Sequence, residues 1–215
     1  MLLSIDTCGS LGTVALVRME HDEPVVLGQT ELAGKTYAAQ LVPAVRDLLL
    51  VHNVGPSQVV TIVVTKGPGS FTGIRIGLST AKGLAEIGSI PIVAVSRLAV
   101  LAYTGRTNAA ALDASRGEFY LGDFSSAPTE RLLTREVFLD RAALLAEDLA
   151  VCEDPVHAAA PESIRVGPPT AADALRFAIP RLRARDFDDP VTLDGNYLRR
   201  SDAEIFAKPK LAATP

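Results

Sequence analysis

Two stretches of the sequence share one pattern, and this repetition constrains the fold more than any other feature. Residues 2–17 contain an apolar strand that ends at Asp6, a turn with glycine, and a second β-branched strand. Residues 110–124 repeat that order, with Asp113 in the position of Asp6. Two copies of a strand–Asp–turn–strand unit indicate a duplicated α/β domain.

Strands and helices are predicted to alternate between the two copies. Residues 37–51 carry apolar side chains at helical spacing, and residues 71–88 are predicted to form a second helix. Residues 59–64 form a continuous β-branched run, which is typical of a strand buried on both faces. The pattern pauses before the second copy begins, so we place one domain at residues 1–105 and another at residues 106–215.

The second half gives weaker signals. Residues 140–149 are predicted to form a helix, and another helix is expected after Thr170, which would cap it. The Ala/Pro-rich residues 153–162 are predicted to form a loop, and residues 207–215 a frayed tail.

A glycine-rich run, KGPGSFTGIRIGLSTAKGLA, occupies residues 66–85. No Lys-Ser or Lys-Thr pair follows its glycines, so it is not a Walker loop. It is not a dinucleotide-binding turn either, because Thr72 stands where the third glycine should follow Gly67 and Gly69. A weaker anion site at the start of the following helix stays open.

Very small side chains recur every four residues in this helix, at Gly73, Gly77, Ala81 and Ala85. They form one ridge, and each glycine inside a helix costs about 1 kcal/mol relative to alanine. The close approach of another helix would offset that cost. Residues 37–51 of the same domain and a helix of another chain are both open as the neighbour.

The first turn of the same helix has two further features. Ser70 or Thr72 is expected to cap it. Arg75 lies where the helix dipole disfavours a cation, so we expect a specific contact to hold it.

Composition limits the partners and the compartment. The formal net charge of −4 repels a nucleic-acid backbone, so any cationic surface for RNA would belong to another subunit. Cys8 and Cys152 are far apart and are read as free thiols in a reducing compartment. The start of the sequence does not resemble a signal peptide, and no apolar run reaches the roughly 20 residues of a membrane span. The sequence therefore predicts a cytoplasmic protein.

The sequence contains no cluster of candidate metal ligands or catalytic groups. His21, His52 and His157 are isolated, and each is read as a surface residue. Asp6 and Asp113 have two interpretations. They could hold a hydrated cation beside a phosphate, or they could accept hydrogen bonds from the amides of their own turns; we favour the second.

Four segments resemble one family in order and spacing: LLSIDTCGSLGTVALV, KGPGSFTGIRIGLSTAKGLA, ALDASRGEFYLGDF and NYLRR. Together they resemble the TsaB (YeaZ) family over nearly the whole chain. The resemblance implies an α/β fold of the actin-like (ASKHA) class, with two RNase H-like lobes whose mixed sheets are flanked by helices.

The resemblance also implies a function. TsaB proteins are non-catalytic paralogues of TsaD, which transfers the threonylcarbamoyl group to tRNA adenosine. TsaB supports TsaD together with the ATPase TsaE, and it can form a homodimer through the same helices. On this basis we expect a scaffold subunit with no cofactor of its own. Weak ATP or ADP binding at the subunit interface, indirect contact with tRNA and no membrane contact are further expectations.

In the family, the contact with TsaD is a bundle of the first two helices of each partner. Carried onto this chain, the expected partner-binding residues are Tyr37, Leu41, Val45, Ser70, Phe71, Thr72, Gly73, Arg75, Gly77, Ala81 and Ala85. The chain departs from the family at two places. Tyr37 stands where relatives often carry histidine, and residues 153–164 are shortened.

Two other functions remain as alternatives. A stand-alone actin-like ATPase or phosphotransferase would need phosphate loops in both lobes, whereas the second copy offers only ASRG. A metallopeptidase of the glycoprotease type would need a metal site, which three isolated histidines do not supply.

Overall fold

The computed structural model describes residues 1–34 and 36–199, so the predicted frayed tail at residues 207–215 lies outside the described residues. The first half forms β1 (Leu2–Asp6), β2 (Leu11–Glu20), β3 (Glu23–Ala33), α1 (Tyr37–Val51), β4 (Thr61–Thr65), α2 (Phe71–Gly88), β5 (Ile92–Val95) and α3 (Arg97–Gly105). The second half forms β6 (Ala109–Asp113), β7 (Glu118–Asp123), β8 (Thr129–Thr134), α4 (Arg135–Leu145), β9 (Leu149–Val151), α5 (Asp154–Ala159), β10 (Ile164–Arg165) and α6 (Ala171–Ala184).

The strands form two five-stranded sheets with the same topology. Their orders are β3-β2-β1-β4-β5 and, read from the corresponding edge, β8-β7-β6-β9-β10. In each sheet an antiparallel meander is followed by strands that add in parallel. The shared order confirms the duplication and the predicted fold class, an actin-like fold of two RNase H-like lobes. We call the sheet with β1 and its covering helices the first lobe, and the other the second lobe.

Helices cover both faces of the first sheet, which explains why its central strands are apolar throughout. On one face α1 and α2 share a core with side chains such as Leu3, Ile62 and Val64. On the other face α6 packs through residues such as Leu175 against β1, β2, β4 and β5. The domain boundary at residue 105 stays a prediction, and α6 lies on the first sheet although that boundary assigns it to the second unit.

The second sheet is also covered on both faces. Phe138 of α4 stacks on Phe119 of β7 with ring centroids 4.2 Å apart, and α5 adds Val156 to the same core. On the opposite face Leu98 and Leu101 of α3 pack against β6 and β9. Because α3 directly follows β5 of the first sheet, it joins the two lobes.

Two predictions in the second half are wrong. The helix expected at residues 140–149 instead runs from Arg135 to Leu145. The next residue, Ala146, has a positive φ and ends the helix. Ala146–Asp148 then form one turn of 3-10 helix, and Leu149–Val151, which are fully buried, form strand β9. The loop expected at residues 153–162 contains α5, which starts with Pro155 in its first turn and buries Val156.

Residues 188–199, which we call the C-terminal segment, cross from the first lobe to the second. The side chain of Asp188 accepts a hydrogen bond of 2.7 Å from the backbone N–H of Ala94 in β5. Leu193 joins the core beneath α1 and α2, and Tyr197 stacks on Phe71 at 4.5 Å. Arg199 then forms an ion pair with Glu118 of β7. No helix within the described residues is long and apolar enough to span a bilayer.

Candidate functional site

A cavity with a volume of about 790 Å³ lies in the cleft between the lobes. It is lined by the turns that follow β1 and β6, by the start of α2, and by side chains from α3 and the second sheet. The duplicated hairpins therefore bring Asp113 close to the turn after Asp6. The charged side chains on its wall include Arg97, Asp113 and Glu153.

Both aspartates cap their own turns, which confirms the interpretation that we favoured. Asp6 accepts a hydrogen bond of 2.8 Å from the backbone N–H of Cys8, and Asp113 accepts one of 2.7 Å from Ser115. The rest of the Asp6 carboxylate faces Arg97, with Nε and Oδ2 3.6 Å apart. Asp6 is 2 % exposed and Arg97 is 5 % exposed, so the pair is almost completely buried.

Arg97 is placed by the start of α3, where the Ser96 side chain accepts a hydrogen bond from the N–H of Ala99. Burial alone would lower the pKa of the Arg97 guanidinium. The negative charge of Asp6 is the largest of several contributions that together outweigh burial and raise that pKa. Asp6 is therefore committed to a permanent internal cation, and its carboxylate is not free to hold a hydrated metal ion.

Two thiols and one phenol near Arg97 are held in their neutral forms at neutral pH. Burial is the main cause that raises the pKa of the Cys8 thiol well above its usual value and that of Cys152 to about 11. Burial likewise raises the pKa of Tyr37 to about 12, and its hydroxyl donates to the carbonyl of Gly9 at 2.9 Å. Because thiolates and phenolates are the nucleophilic forms, none of these side chains is activated at neutral pH.

Glu153 enters the cleft from the second lobe. Burial raises the pKa of its carboxyl, and a hydrogen bond from the N–H of Asp113 and the charge of Arg97 partly offset that effect. Sequence reasoning missed Glu153, because it lies in the segment that the Ala/Pro-rich pattern predicts to be a loop.

The glycine-rich turn packs tightly on the first hairpin. Ser70 caps α2 by accepting a hydrogen bond of 3.2 Å from the N–H of Gly73, so the cap is Ser70 and not Thr72. The N–H of Ser70 itself donates to the carbonyl of Cys8 at 2.8 Å. A Cβ on Gly69 would overlap the same carbonyl, and this explains the glycine there. The turn thus uses its polar groups and its small residues for internal contacts.

The prediction that the small ridge of α2 faces another subunit is wrong. A Cβ on Gly73 would overlap the carbonyl oxygen of Thr7, and one on Gly77 would overlap the Thr7 hydroxyl. That hydroxyl donates a hydrogen bond of 2.7 Å to the carbonyl of Gly73. Ala81 and Ala85 are buried in the same core. A backbone does approach the ridge closely, but it is the backbone of the turn after β1 in the same lobe.

The other predicted partner-binding residues divide into two groups. The side chains on the inner side of α1 are buried and offer no free surface, namely those of Tyr37, Leu41 and Val45. The prediction is therefore wrong for these side chains as well. The remaining four are exposed or half-buried, and for them the partner role stays a prediction: Ser70, Phe71, Thr72 and Arg75.

Arg75 has the specific contact that its position required, and that contact lies within the chain. Its guanidinium lies 5.2 Å from the ring centre of Phe71 and 5.9 Å from that of Tyr197. Cation–π attraction therefore holds Arg75 at the start of α2.

Sequence reasoning missed an exposed face on α1 and α2. Val42 is 56 % exposed, Leu50 is 66 % exposed, and Ile87 is 89 % exposed. Gly83 lies in the interior of α2, and a Cβ there would meet nothing within 4 Å. The sequence did contain a signal for this face. The apolar residues Val42 and Leu50 lie outside the stripe of α1 that includes Leu41 and faces the core.

Within the described residues, no group of three His, Cys, Asp or Glu side chains is arranged to hold a metal ion. The histidines occupy separate places. His21 lies in the β2–β3 turn, His52 lies at the end of α1, and His157 lies in α5 near the hydroxyl of Ser163, at 3.4 Å.

Comparison with known proteins identifies the family. A family model described as "TsaD: tRNA N6-adenosine threonylcarbamoyltransferase" matches residues 26–162. Among curated proteins, the tRNA threonylcarbamoyladenosine biosynthesis protein TsaB of Bacillus subtilis is 35 % identical over 157 residues, which cover 71 % of this chain and 66 % of that protein. The chain belongs to the TsaB (YeaZ) branch of the TsaD family.

Other TsaB and YeaZ proteins show the same relationship. The TsaB of Escherichia coli is 30 % identical over 154 residues, which cover 65 % of each chain. The matched part thus spans just under two thirds of the length of these two curated relatives. A crystal structure of a Pseudomonas aeruginosa protein described as similar to peptidase YeaZ is 29 % identical. It superposes with a TM-score of 0.74 and covers 92 % of this chain and 99 % of that one.

Proposed function

We propose that this protein is a subunit of the machinery that makes threonylcarbamoyladenosine in tRNA. Its role in this proposal is to bind and support TsaD, with TsaE joining the assembly, rather than to carry out the chemistry. The names of its TsaB relatives support the pathway. The observation that carries the scaffold role is the exposed face of α1 and α2.

That face combines two properties that suit a helical partner. It exposes aliphatic side chains, among them Val42, Leu50 and Ile87, and such exposure indicates an interaction site. It also contains Gly83, which lowers helix stability by about 1 kcal/mol and meets no side chain of its own lobe. A partner helix that approaches α2 at this point would explain a glycine that the isolated chain does not.

The cleft favours a supporting role over the alternative of a stand-alone ATPase. In such an enzyme the aspartate after the first strand must be free to act on metal-bound phosphate, whereas Asp6 faces the buried Arg97. The glycoprotease alternative has no comparable observation in its favour. Any ATP or ADP would bind weakly at the joint with TsaD, and tRNA would contact this subunit only indirectly. The proposed setting is the bacterial cytoplasm.

Gly83→Leu tests the proposed surface. The position has open space on an exposed helix face, and leucine has a better helix propensity than glycine, so the fold should survive. We expect the affinity for the TsaD of the same organism to fall by at least about ten-fold, which corresponds to about 1.4 kcal/mol. Isothermal titration measures the affinity, and circular dichroism checks the fold.

Ala143→Leu is the matched control, because Ala143 is an exposed small residue on α4 of the second lobe. It should bind TsaD like the wild type. Wild-type affinity in the Gly83→Leu variant would remove α2 from the interface. Titration of the isolated wild type with ATP and Mg²⁺ tests the ATPase alternative, and tight binding would favour it.

A further inference from the structure

The second lobe contains a groove that the proposed function does not use. It lies between α4 and the strands β7 and β8, and its cavity has a volume of about 230 Å³. Because α4 packs on the second sheet whereas α1 and α2 pack on the first, this groove is separate from the proposed TsaD surface. We call it the β8–α4 groove.

The groove has apolar walls that are open to solvent. Leu133 of β8 lines one side. Val137, Leu144 and Leu145 of α4 line the other, and Leu144 is 79 % exposed. Exposed aliphatic side chains of this kind suit aliphatic side chains of a ligand.

Two guanidinium groups, those of Arg131 on β8 and Arg141 on α4, also line the groove. Among residues 1–34 and 36–199, neither arginine has a hydrogen bond or an ion pair. In the part of the chain that the structure describes, the one carboxylate on the wall is that of Asp123, whose pKa is lowered first by hydrogen bonds from Ser125 and only weakly by Arg141. The lining therefore has a net positive charge, in contrast to the chain as a whole.

One wall of the groove is an edge strand. Within residues 1–34 and 36–199, β8 is the last strand of its sheet and pairs with β7 alone. Its alternate residues Thr129, Arg131 and Leu133 line the groove, while Glu130 points to the other face and contacts Ser96. An edge strand presents backbone N–H and C=O groups to which an extended chain can pair.

We propose that the β8–α4 groove binds an extended acidic peptide segment of a partner protein. The peptide runs alongside β8 and places carboxylates on Arg131 and Arg141. Arginine and carboxylate form strong, charge-assisted hydrogen bonds. Every second side chain of such a strand faces the groove. On that face aliphatic side chains take turns with the carboxylates and contact Val137 and Leu144. A nucleic-acid backbone has the charge but no aliphatic groups for these walls, so peptide is the better fit.

A fluorescein-labelled peptide with the repeat Glu-Ser-Leu-Ser, which places Glu and Leu on the same strand face, serves as the probe. Its affinity is measured by anisotropy at low salt. We expect it to bind at least about ten-fold more tightly than the same peptide with Lys in place of Glu. The Arg131→Ala/Arg141→Ala variant should lose about ten-fold in affinity for the acidic probe. Hydrogen exchange should slow at the amides of residues 129–134 when the acidic probe binds.

The control is Arg18→Ala, which removes an exposed arginine from a strand of the first lobe. It should leave the affinity for the probe unchanged. Equal binding of the Lys peptide, or an unchanged affinity in the double variant, overturns the proposal. An oligouridylate that binds more tightly than the acidic peptide, with the same dependence on both arginines, overturns it in favour of RNA.

Discussion

The turns after β1 and β6 are built alike but lie in opposite electrostatic environments. In each, an aspartate at the end of a strand accepts a hydrogen bond from the backbone two residues later. Asp6 is buried against Arg97, whereas Asp113 is half-buried and its backbone N–H donates to Glu153. The duplicated backbone is therefore preserved, while the charge placed beside it differs between the lobes.

The helices differ between the lobes as well. α1 and α2 of the first lobe are long and expose an aliphatic face, whereas α5 in the second lobe has only six residues. Because both sheets have the same topology, the turns after β1 and β6 meet at the cleft. The side chains and helices added to each copy then set the charge beside each turn and the surface that each lobe exposes.

Removal of Arg97 should have the largest effect on the difference between the two turns. Arg97→Leu leaves Asp6 as a buried carboxylate without its cation, so we expect a loss of about 3–5 kcal/mol in the free energy of unfolding. Adding Asp6→Asn should recover part of this loss, because asparagine is neutral and still accepts the hydrogen bond from Cys8. Urea denaturation measures both variants.

Asp113→Asn is the matched change in the second lobe, where no buried cation of the described residues forms an ion pair with the aspartate. We expect a loss of less than about 1 kcal/mol. If Asp113→Asn lowers the free energy of unfolding as much as Arg97→Leu does, the buried cation beside Asp6 does not distinguish the two turns. If the double variant recovers nothing, the Asp6–Arg97 attraction is not the cause.

Glu153 should give a smaller, pH-dependent effect. Its pKa is raised by burial, so the folded protein keeps this proton to a higher pH than the unfolded chain does. The folded state therefore binds more protons in the window above the unfolded pKa of about 4.3, and stability falls as the pH rises through that window. Glu153→Gln removes this dependence and should raise the Tm at pH 7 by about 2–4 °C.

Calorimetry from pH 4 to pH 7 measures the difference in Tm between the wild type and the glutamine variant. That difference should shrink toward pH 4, where the wild-type carboxyl is protonated in both states. A variant that is less stable than the wild type at pH 7 would show that the attraction of Arg97 for the Glu153 carboxylate outweighs burial.

The smallest expected effect concerns thiol reactivity and leaves stability unchanged. With a pKa of about 11, the Cys152 thiol is ionised in roughly one molecule in a thousand at pH 8, so it should react with iodoacetamide about a hundred-fold more slowly than a free cysteine. Cys8 is buried in the first lobe and should not react while the protein is folded. Mass spectrometry after timed labelling reads both sites, and rapid labelling of either would contradict the burial of these thiols.

Much of the first lobe could be predicted from local signals. α1 and α2 begin and end where the sequence pattern placed them, because apolar periodicity and Ser70 as a cap act within a few residues. The second lobe was harder to predict, since β9 and β10 have only three and two residues. Strands that short are specified by pairing with β6 and β9, which is a tertiary contact.

The site was less predictable than the fold, and the ridge of α2 shows why. Spacing identified Gly73 and Gly77 as positions of close approach, and the structure agrees on that point. Spacing carries no information on which backbone approaches, and Thr7 lies far away in the sequence. The same limit applies to Arg97, because only the folded chain shows that it faces Asp6.

The placement of α6 and Leu193 bears on how the chain folds during synthesis. The first sheet leaves the ribosome early, but one of its faces is covered by residues 171–184 and its other core is completed by Leu193. The first lobe therefore cannot reach its native packing until residue 193 has been translated. Until then the nascent chain exposes the apolar face that α6 will cover. The strands of the second sheet and its covering helices α3, α4 and α5 end by residue 165, so the second lobe can complete its core before the first.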